Sequence, residues 1–402
     1  MNVLFLGLMY NSSEEKSLIK LSKTGLGIAS NILEGNLIRG LQQQKNDIQT
    51  ITSLPVGNFP EANKKIYYPS KRYIISDFIS SYETYTINLP IIKHELRFIE
   101  YKIQINKWYE KMDKETDKII IIYDLYIPFL KIIKWMKDTY ENVKIVVMIP
   151  DLVGKYRNNS IKSKTKRNLL ERKVDKTFEL MNQADGYLLI TEQISRFIED
   201  ENKPRMVIDG IVDDKNVKFK ITNNKQTIFM YSGLLSSQYN VDKLIDIFLN
   251  LEENQAQLWL CGYGELEAKL KKIESTNIKF YGLIPKKEVS DLEYQADVLI
   301  NPRSNKGEYT KYSFPSKNLE YLLKGKPVIC YKLDGISNDY EEVFDYVEET
   351  AQGLESKIQK YINMNIEEIR TLGKRNQDFV IRHNGVEPQG AKINKFLEEC
   401  FK

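Results

Sequence analysis

The sequence predicts an α/β protein of two Rossmann-like, doubly wound halves, and three observations carry that reading. Short β-rich apolar runs alternate with helical patterns along the chain, the signature of parallel sheets built from βαβ units. At 402 residues the chain exceeds one ordinary core and suits two domains. The pattern breaks at Glu199 to Asn202, followed by Lys203-Pro204, between the two series of runs.

In the first half, strands are expected at Val3 to Leu8, Asp47 to Ser53, Ile119 to Tyr123, Lys144 to Ile149 and Gly186 to Ile190, with a helix over Ala29 to Gln43. The opening Met1 to Met9 is apolar but has no basic start and ends at Asn11-Ser12-Ser13. It therefore reads as a buried strand rather than a signal peptide. In the second half, strands are expected at Thr227 to Tyr231, Gln257 to Cys261, Ile278 to Tyr281, Val298 to Asn301 and Val328 to Tyr331, with a helix over Val241 to Asn250. The boundary is placed near Pro204, giving domains 1–204 and 205–384, and Gly385 to Lys402 holds a terminal helix.

Composition narrows the function classes. Cys261, Cys330 and Cys400 are odd in number and far apart, which argues against a disulfide framework and for a reducing compartment. No apolar run approaches the roughly 20 residues that span a bilayer, so a cytoplasmic protein is expected. The net charge of +4 is uneven: residues 1–200 hold 30 Lys/Arg against 24 Asp/Glu, residues 201–402 hold 29 against 31. Much of the excess lies between Lys155 and Lys176, around Leu169, Leu170, Val174 and Phe178. Such a basic amphipathic segment suits either an anionic membrane surface or an ordinary solvated helix face. Nucleic-acid binding is not expected, because the global charge is small and no stacking or zinc module is visible. No acidic cluster with metal-ligand spacing stands out, and with only His94 and His383 in the chain a histidine general base is not expected.

The segment from Asn301 to Ile329 is the most informative. Ser313 is a candidate helix cap, Pro315 suits the first turn, and Gly325 with Pro327 ends the helix before the next strand. The first-turn amides near Ser316 and Lys317 carry the positive end of the helix dipole, and the Lys317 ammonium adds a full charge. Together they suit a diphosphate. By caps alone, an ordinary helix with a solvated lysine fits as well.

Phe314-Pro315-Ser316-Lys317, followed by Glu320-Tyr321 and Gly325-Lys326-Pro327-Val328, resembles the donor motif of retaining glycosyltransferases of family 4, in their bacterial surface-polysaccharide branch. That resemblance implies a GT-B fold, with two domains facing across a cleft and the terminal helix crossing back to the first. It implies that Glu320 holds the ribose hydroxyls while Ser316 and Lys317, beside Pro315, hold the diphosphate. Further similar segments are Tyr231-Ser232-Gly233-Leu234-Leu235, Leu260-Cys261-Gly262-Tyr263-Gly264 and Phe280-Tyr281-Gly282-Leu283. In these, Gly233 and Gly262 would approach the donor and Leu283 would read the base. In the first half, Gly25 and Gly27 would face the donor phosphates. Gly-x-Gly without a third glycine, far from the first strand, disfavours a dinucleotide-dependent dehydrogenase.

The chain departs from the family in several places. Leu234 and Tyr239 stand where relatives carry Arg and Lys, so Arg303 and Lys317 are assigned the diphosphate charge, with a surface ion pair as the other reading of Arg303. Tyr312 replaces an acid, and Glu308 is either the substitute beside the transferred sugar or a solvated loop carboxylate. Pro150 and Asp151 stand where many relatives have His, and Asp151 is either a sugar or acceptor contact or a helix cap. The expected activity is metal-independent retaining transfer from a nucleotide-sugar, taken as a UDP-sugar, to a glycan acceptor of the lipid-linked kind. The alternative is a non-catalytic homologue acting as a binding subunit. A sugar-nucleotide epimerase is disfavoured by the lack of an acid and histidine pair.

Overall fold

A computed structural model describes residues 1–76, 79–113, 115–152, 164–215, 217–350 and 352–402. The chain divides into two compact units, Met1–Ile211 with Val386–Lys402, and Val212–Gly385.

The first unit holds a sheet made of β1 (Asn2–Gly7), β2 (Asp47–Thr52), β4 (Lys71–Ser76), β5 (Ile79–Glu83), β7 (Lys118–Tyr123), β8 (Val143–Ile149), β9 (Gly186–Leu189) and β10 (Arg205–Val207). A separate short pair, β3 (Tyr67–Tyr68) and β6 (Thr86–Ile87), runs antiparallel. The strand order is β10-β9-β8-β7-β1-β2-β5-β4, parallel throughout except for β4 at the edge. Among its helices are α1 (Ile28–Gln43), α2 (Ile92–Lys111), α3 (Ile127–Thr139) and α4 (Lys164–Met181). Every residue of β7 is buried, as the unbroken run Ile119-Ile120-Ile121-Ile122 requires of a parallel strand covered on both faces.

The second unit holds β11 (Thr227–Leu234), α5 (Val241–Leu249), β12 (Ala256–Tyr263), β13 (Ile278–Gly282), α6 (Lys286–Gln295), β14 (Val298–Asn301), α7 (Ser316–Leu323), β15 (Val328–Tyr331), β16 (Asp345–Val347) and α8 (Ile366–Asn384). Its strand order is β13-β12-β11-β14-β15-β16, all parallel. In each unit the first strand has its sequential neighbour on one side and a later strand on the other. Such reversal points are where open α/β sheets bind ligands, at the carboxyl ends of the strands.

One feature of the division differs from the sequence reading. Residues beyond Pro204 still belong to the first unit, because Arg205–Val207 pair with β9 and Ile208 and Ile211 join the first core. The terminal helix α9 (Val386–Glu399) packs on α1 within the first unit, contributing Ile393, Phe396 and Leu397 to its core. The two helices meet at Gly40 and Gly390: a Cβ on Gly390 would lie 2.3 Å from the Gly40 carbonyl oxygen, so backbone meets backbone there. Asn46 clamps the same contact, its Nδ2 donating to Asn394 Oδ1 at 2.7 Å. Among the described residues no helix is long and apolar enough to cross a membrane.

Candidate functional site

In the second unit, parallel pairing aligns the ends of β11, β12, β13 and β14 along one edge. β11 and β12 run in register through Gly233 opposite Gly262. Gly262 has φ +136°, and a Cβ there would lie 1.8 Å from the Gly233 carbonyl oxygen. Its glycine is thus demanded by strand packing, whatever binds nearby. At these ends the apolar residues Leu234 and Tyr263, and Leu283 just past β13, stand exposed, Leu283 at 75%.

The loop after β14 is tied down by side chains. Asn240 Nδ2 donates to the Pro302 carbonyl at 3.0 Å, and Thr310 Oγ1 donates to Asn305 Oδ1 at 2.8 Å. Arg303 lies between the rings of Tyr239 and Tyr309, at 5.8 and 5.0 Å, and its Nη2 donates to Ser313 Oγ at 3.3 Å. The guanidinium therefore stands beside Tyr239, at the point of the fold where the sequence lacks the expected lysine. Glu308 is exposed at the start of a short turn, and Tyr312 is buried at 1% exposure.

Ser313 does not cap α7. Pro315 occupies the cap position without a side-chain bond to the helix, while Ser313 Oγ is engaged with Arg303 and with the Tyr309 carbonyl. The first turn is anchored instead by the Asn318 side chain, whose Oδ1 accepts from Asn301 Nδ2 at 2.6 Å. Ser316 is exposed at the opening of α7, Lys317 and Glu320 are half-buried, and helical spacing puts Glu320 on the same face as both.

Lys317 is aimed by a residue that sequence reasoning missed. Its Nζ donates to Ser232 Oγ at 3.0 Å, and the Ser232 N–H donates to Tyr321 Oη at 3.0 Å. Ser232 Oγ in turn donates to Glu293 Oε1 at 2.9 Å. The structure thus brings Arg303, Pro315, Ser316, Lys317, Glu320 and Gly233 to the ends of β11 and β14. Gly262 adjoins them, Leu283 stands two strands away, and Glu308 lies on the loop.

Gly25, Gly27 and Asp151 belong to the first unit. Gly25 has φ +88° with open space around it, and Gly27 takes the cap position of α1. Asp151, exposed at the end of β8, lines a cavity of about 500 Å³ together with Asp124, His94, Tyr126, Lys173 and Leu170. Residues 155–163 of the basic segment lie outside the described residues; in the rest, Leu169 is exposed while Leu170, Val174 and Phe178 line this cavity.

His94, which the sequence reading set aside, is therefore at this site. Its Nδ1 pairs with Tyr126 Oη at 2.8 Å, and burial with nearby Lys93 and Arg97 lowers its pKa to about 4. It is a neutral imidazole at physiological pH.

Asp124 was also missed. It directly follows β7 with φ +73°, its N–H donates to the Met148 carbonyl, and burial and then the Asp151 charge raise its pKa from 3.8 to about 6. The folded chain therefore binds a proton that the unfolded chain has released. Stability from this group is intact below 3.8 and is lost as pH rises through about 6. Asp124→Asn is expected to raise the melting temperature above that window and to change nothing below it. Melting curves across pH check this, and a pH-independent difference would sink the assignment.

Comparison with known proteins now bears on these sites. Residues 213–379 match the family model of glycosyl transferases group 1. No curated protein sequence matches the chain significantly. Among solved structures, sucrose-phosphate synthase from Thermosynechococcus elongatus is similar at 16% identity and TM-score 0.63, covering 100% of this chain and 99% of that chain. HepE from Anabaena, in complex with UDP, is similar at 13% identity and TM-score 0.61, covering 99% and 100%. TarM is similar at 12% identity and TM-score 0.58, covering 98% and 99%. Residues 213–379 are thus a glycosyltransferase group 1 domain, and the chain is a glycosyltransferase of GT-B fold.

Proposed function

We propose that this glycosyltransferase works with retention, in the manner of family 4. It moves a sugar from a UDP-sugar to a hydroxyl of a glycan acceptor during assembly of a bacterial surface polysaccharide. The observation that carries the reading is Lys317, held on Ser232 at the opening of α7 with Glu320 on the same face and Arg303 on the adjoining loop. Two cations and a helix start oppose a diphosphate, and a carboxylate one turn on suits the two ribose hydroxyls.

In the proposed reaction the bond from the anomeric carbon to the diphosphate breaks, and the acceptor oxygen bonds the same face of that carbon. The acceptor proton passes to the departing diphosphate. Lys317 and Arg303 stabilise the charge that develops there, so no metal is assigned a role. UDP is preferred because HepE, of similar fold, was solved with it. The acceptor is assigned to the first-unit cavity at Asp124 and Asp151. A lipid-linked acceptor fits the apolar part of that lining, and Arg172, Lys173 and Lys176 beside exposed Leu169 are proposed to rest on the inner face of the plasma membrane.

Glu320→Ala is expected to weaken UDP binding by about tenfold, the cost of losing charge-assisted hydrogen bonds. Calorimetry with UDP checks this, and unchanged affinity removes Glu320 from the site. Thermal-shift screening of nucleotide sugars identifies the donor, since ligand at a hundred times Kd adds about 2.7 kcal/mol. A second reading, a homologue that binds the donor without transferring it, draws on buried Tyr312, which offers no carboxylate to the sugar. Hydrolysis of the selected nucleotide sugar separates the two readings.

A further inference from the structure

We propose that Glu293 is the resident counter-charge of Lys317, acting through Ser232, and that it sets how tightly a diphosphate is held. This rests on the reading that Lys317 meets the diphosphate. Within α6, Lys-Lys-Glu-Val-Ser-Asp-Leu-Glu-Tyr-Gln, the buried residue is Glu293, at 4% exposure. A carboxylate removed from water needs partners. Ser232 supplies its single hydroxyl proton to Glu293 Oε1 at 2.9 Å, which turns the hydroxyl oxygen toward Lys317 Nζ at 3.0 Å. Lys324 Nζ stands 3.7 Å from Glu293 Oε2 and donates to Ser290 Oγ at 2.6 Å, which ties α6 to α7.

The charged and titratable groups facing Glu293 are Lys317, Glu320 and Tyr321 from α7, Lys324 at its C-terminal end and Cys261 from β12. Burial raises the Glu293 pKa, and Lys317 and then Lys324 oppose that rise. Lys317 spends one of its three N–H groups on Ser232, and an arriving diphosphate must share it with the field of Glu293. The carboxylate thus has two opposed effects: it places the ammonium, through Ser232, and it repels the ligand.

Gln at position 293 keeps an acceptor oxygen for Ser232 and removes the charge, so repulsion is the effect that changes. Glu293→Gln is expected to bind UDP about tenfold more tightly, the scale of one like charge beyond contact distance at a partly buried site. Ser232→Ala keeps the charge and removes the placement, so it is expected to bind about tenfold more weakly. A purely structural role for Glu293 does not produce these opposite signs.

Calorimetry with UDP and ADP on the full chain, repeated across pH, is the test. As pH falls and Glu293 takes a proton, the ratio of wild-type to Glu293→Gln affinity should approach one, because titration of the nucleotide cancels in the ratio. Equal or weaker binding by Glu293→Gln, or a ratio independent of pH, overturns the role. If Glu293→Gln lacks a cooperative melt, Ser232→Ala decides: weakened binding supports the role and unchanged binding overturns it. A wild-type chain that binds neither nucleotide overturns the donor reading itself, and this role with it.

Discussion

Lys317→Ala should lower turnover of the nucleotide sugar about a hundredfold to a thousandfold while leaving the chain folded. The loss follows from where the charge sits. As the bond to the sugar breaks, negative charge grows on the leaving diphosphate, and a cation already in place costs no reorganisation at that moment. Removing one such preorganised group costs about 2.7–4 kcal/mol. Placement is built in, because Ser232 holds the ammonium at 3.0 Å and the Tyr321 ring lies 5.6 Å below it. Some stability is expected to be lost with it, since Lys317 is the cation that most opposes the cost of burying the Glu293 carboxylate, while Ser232 stays bonded to Glu293 and Tyr321. Lys317→Arg should recover part of the rate, as it keeps the charge but moves it along a longer, planar group. Steady-state kinetics with the screened donor, together with a melt, decide the matter. A rate within a few fold of wild type would remove Lys317 from the reaction.

The second large effect is on stability. Gly262→Ala must place a methyl group 1.8 Å from the Gly233 carbonyl oxygen at a φ of +136°, which L side chains rarely adopt. Backbone strain costs roughly 1–3 kcal/mol and overpacking about as much again, so a loss of about 3 kcal/mol or more is expected. For a unit of this size that corresponds to a fall of roughly 6–12 °C in melting temperature. The measurement is a melt without nucleotide. Sequence reading alone attributes Gly262 to close approach of the donor, and a variant that melted normally yet failed to bind would restore that view. Destabilisation in the absence of ligand instead shows that any binding defect of Gly262→Ala is indirect.

How much was legible in the sequence depends on the range of the interaction. The strands of both sheets were visible where apolar runs are long, as at Ile119 to Tyr123 and Val298 to Asn301. Lys71–Ser76 and Arg205–Val207 escaped because neither edge strand carries a long apolar run. The helix over Ser316–Leu323 was legible from Pro315 and Gly325, yet its cap was not. Ser313 has the right chemistry, but a short turn over Glu308–Tyr312 directs its hydroxyl to Arg303 and the Tyr309 carbonyl. Glu293 was hidden for a different reason. It sits among charged residues in a segment that reads as a solvated face, and it meets Ser232 across 61 positions of sequence.

The sequence by itself determined the alternation of strands and helices, the start of α7 and the residue types offered there. It also determined what is missing, since no arginine or lysine occupies positions 234 and 239. Only the tertiary structure decided which charges meet. Parallel pairing carries the ends of β11 and β14 to one edge, and that places Arg303 over Tyr239 and Lys317 on Ser232. Local propensity acts within a few residues and is written in the chain. A side chain's electrostatic partners are set by sheet order and helix docking, which bring distant residues within about 3 Å, where hydrogen bonding outweighs solvation.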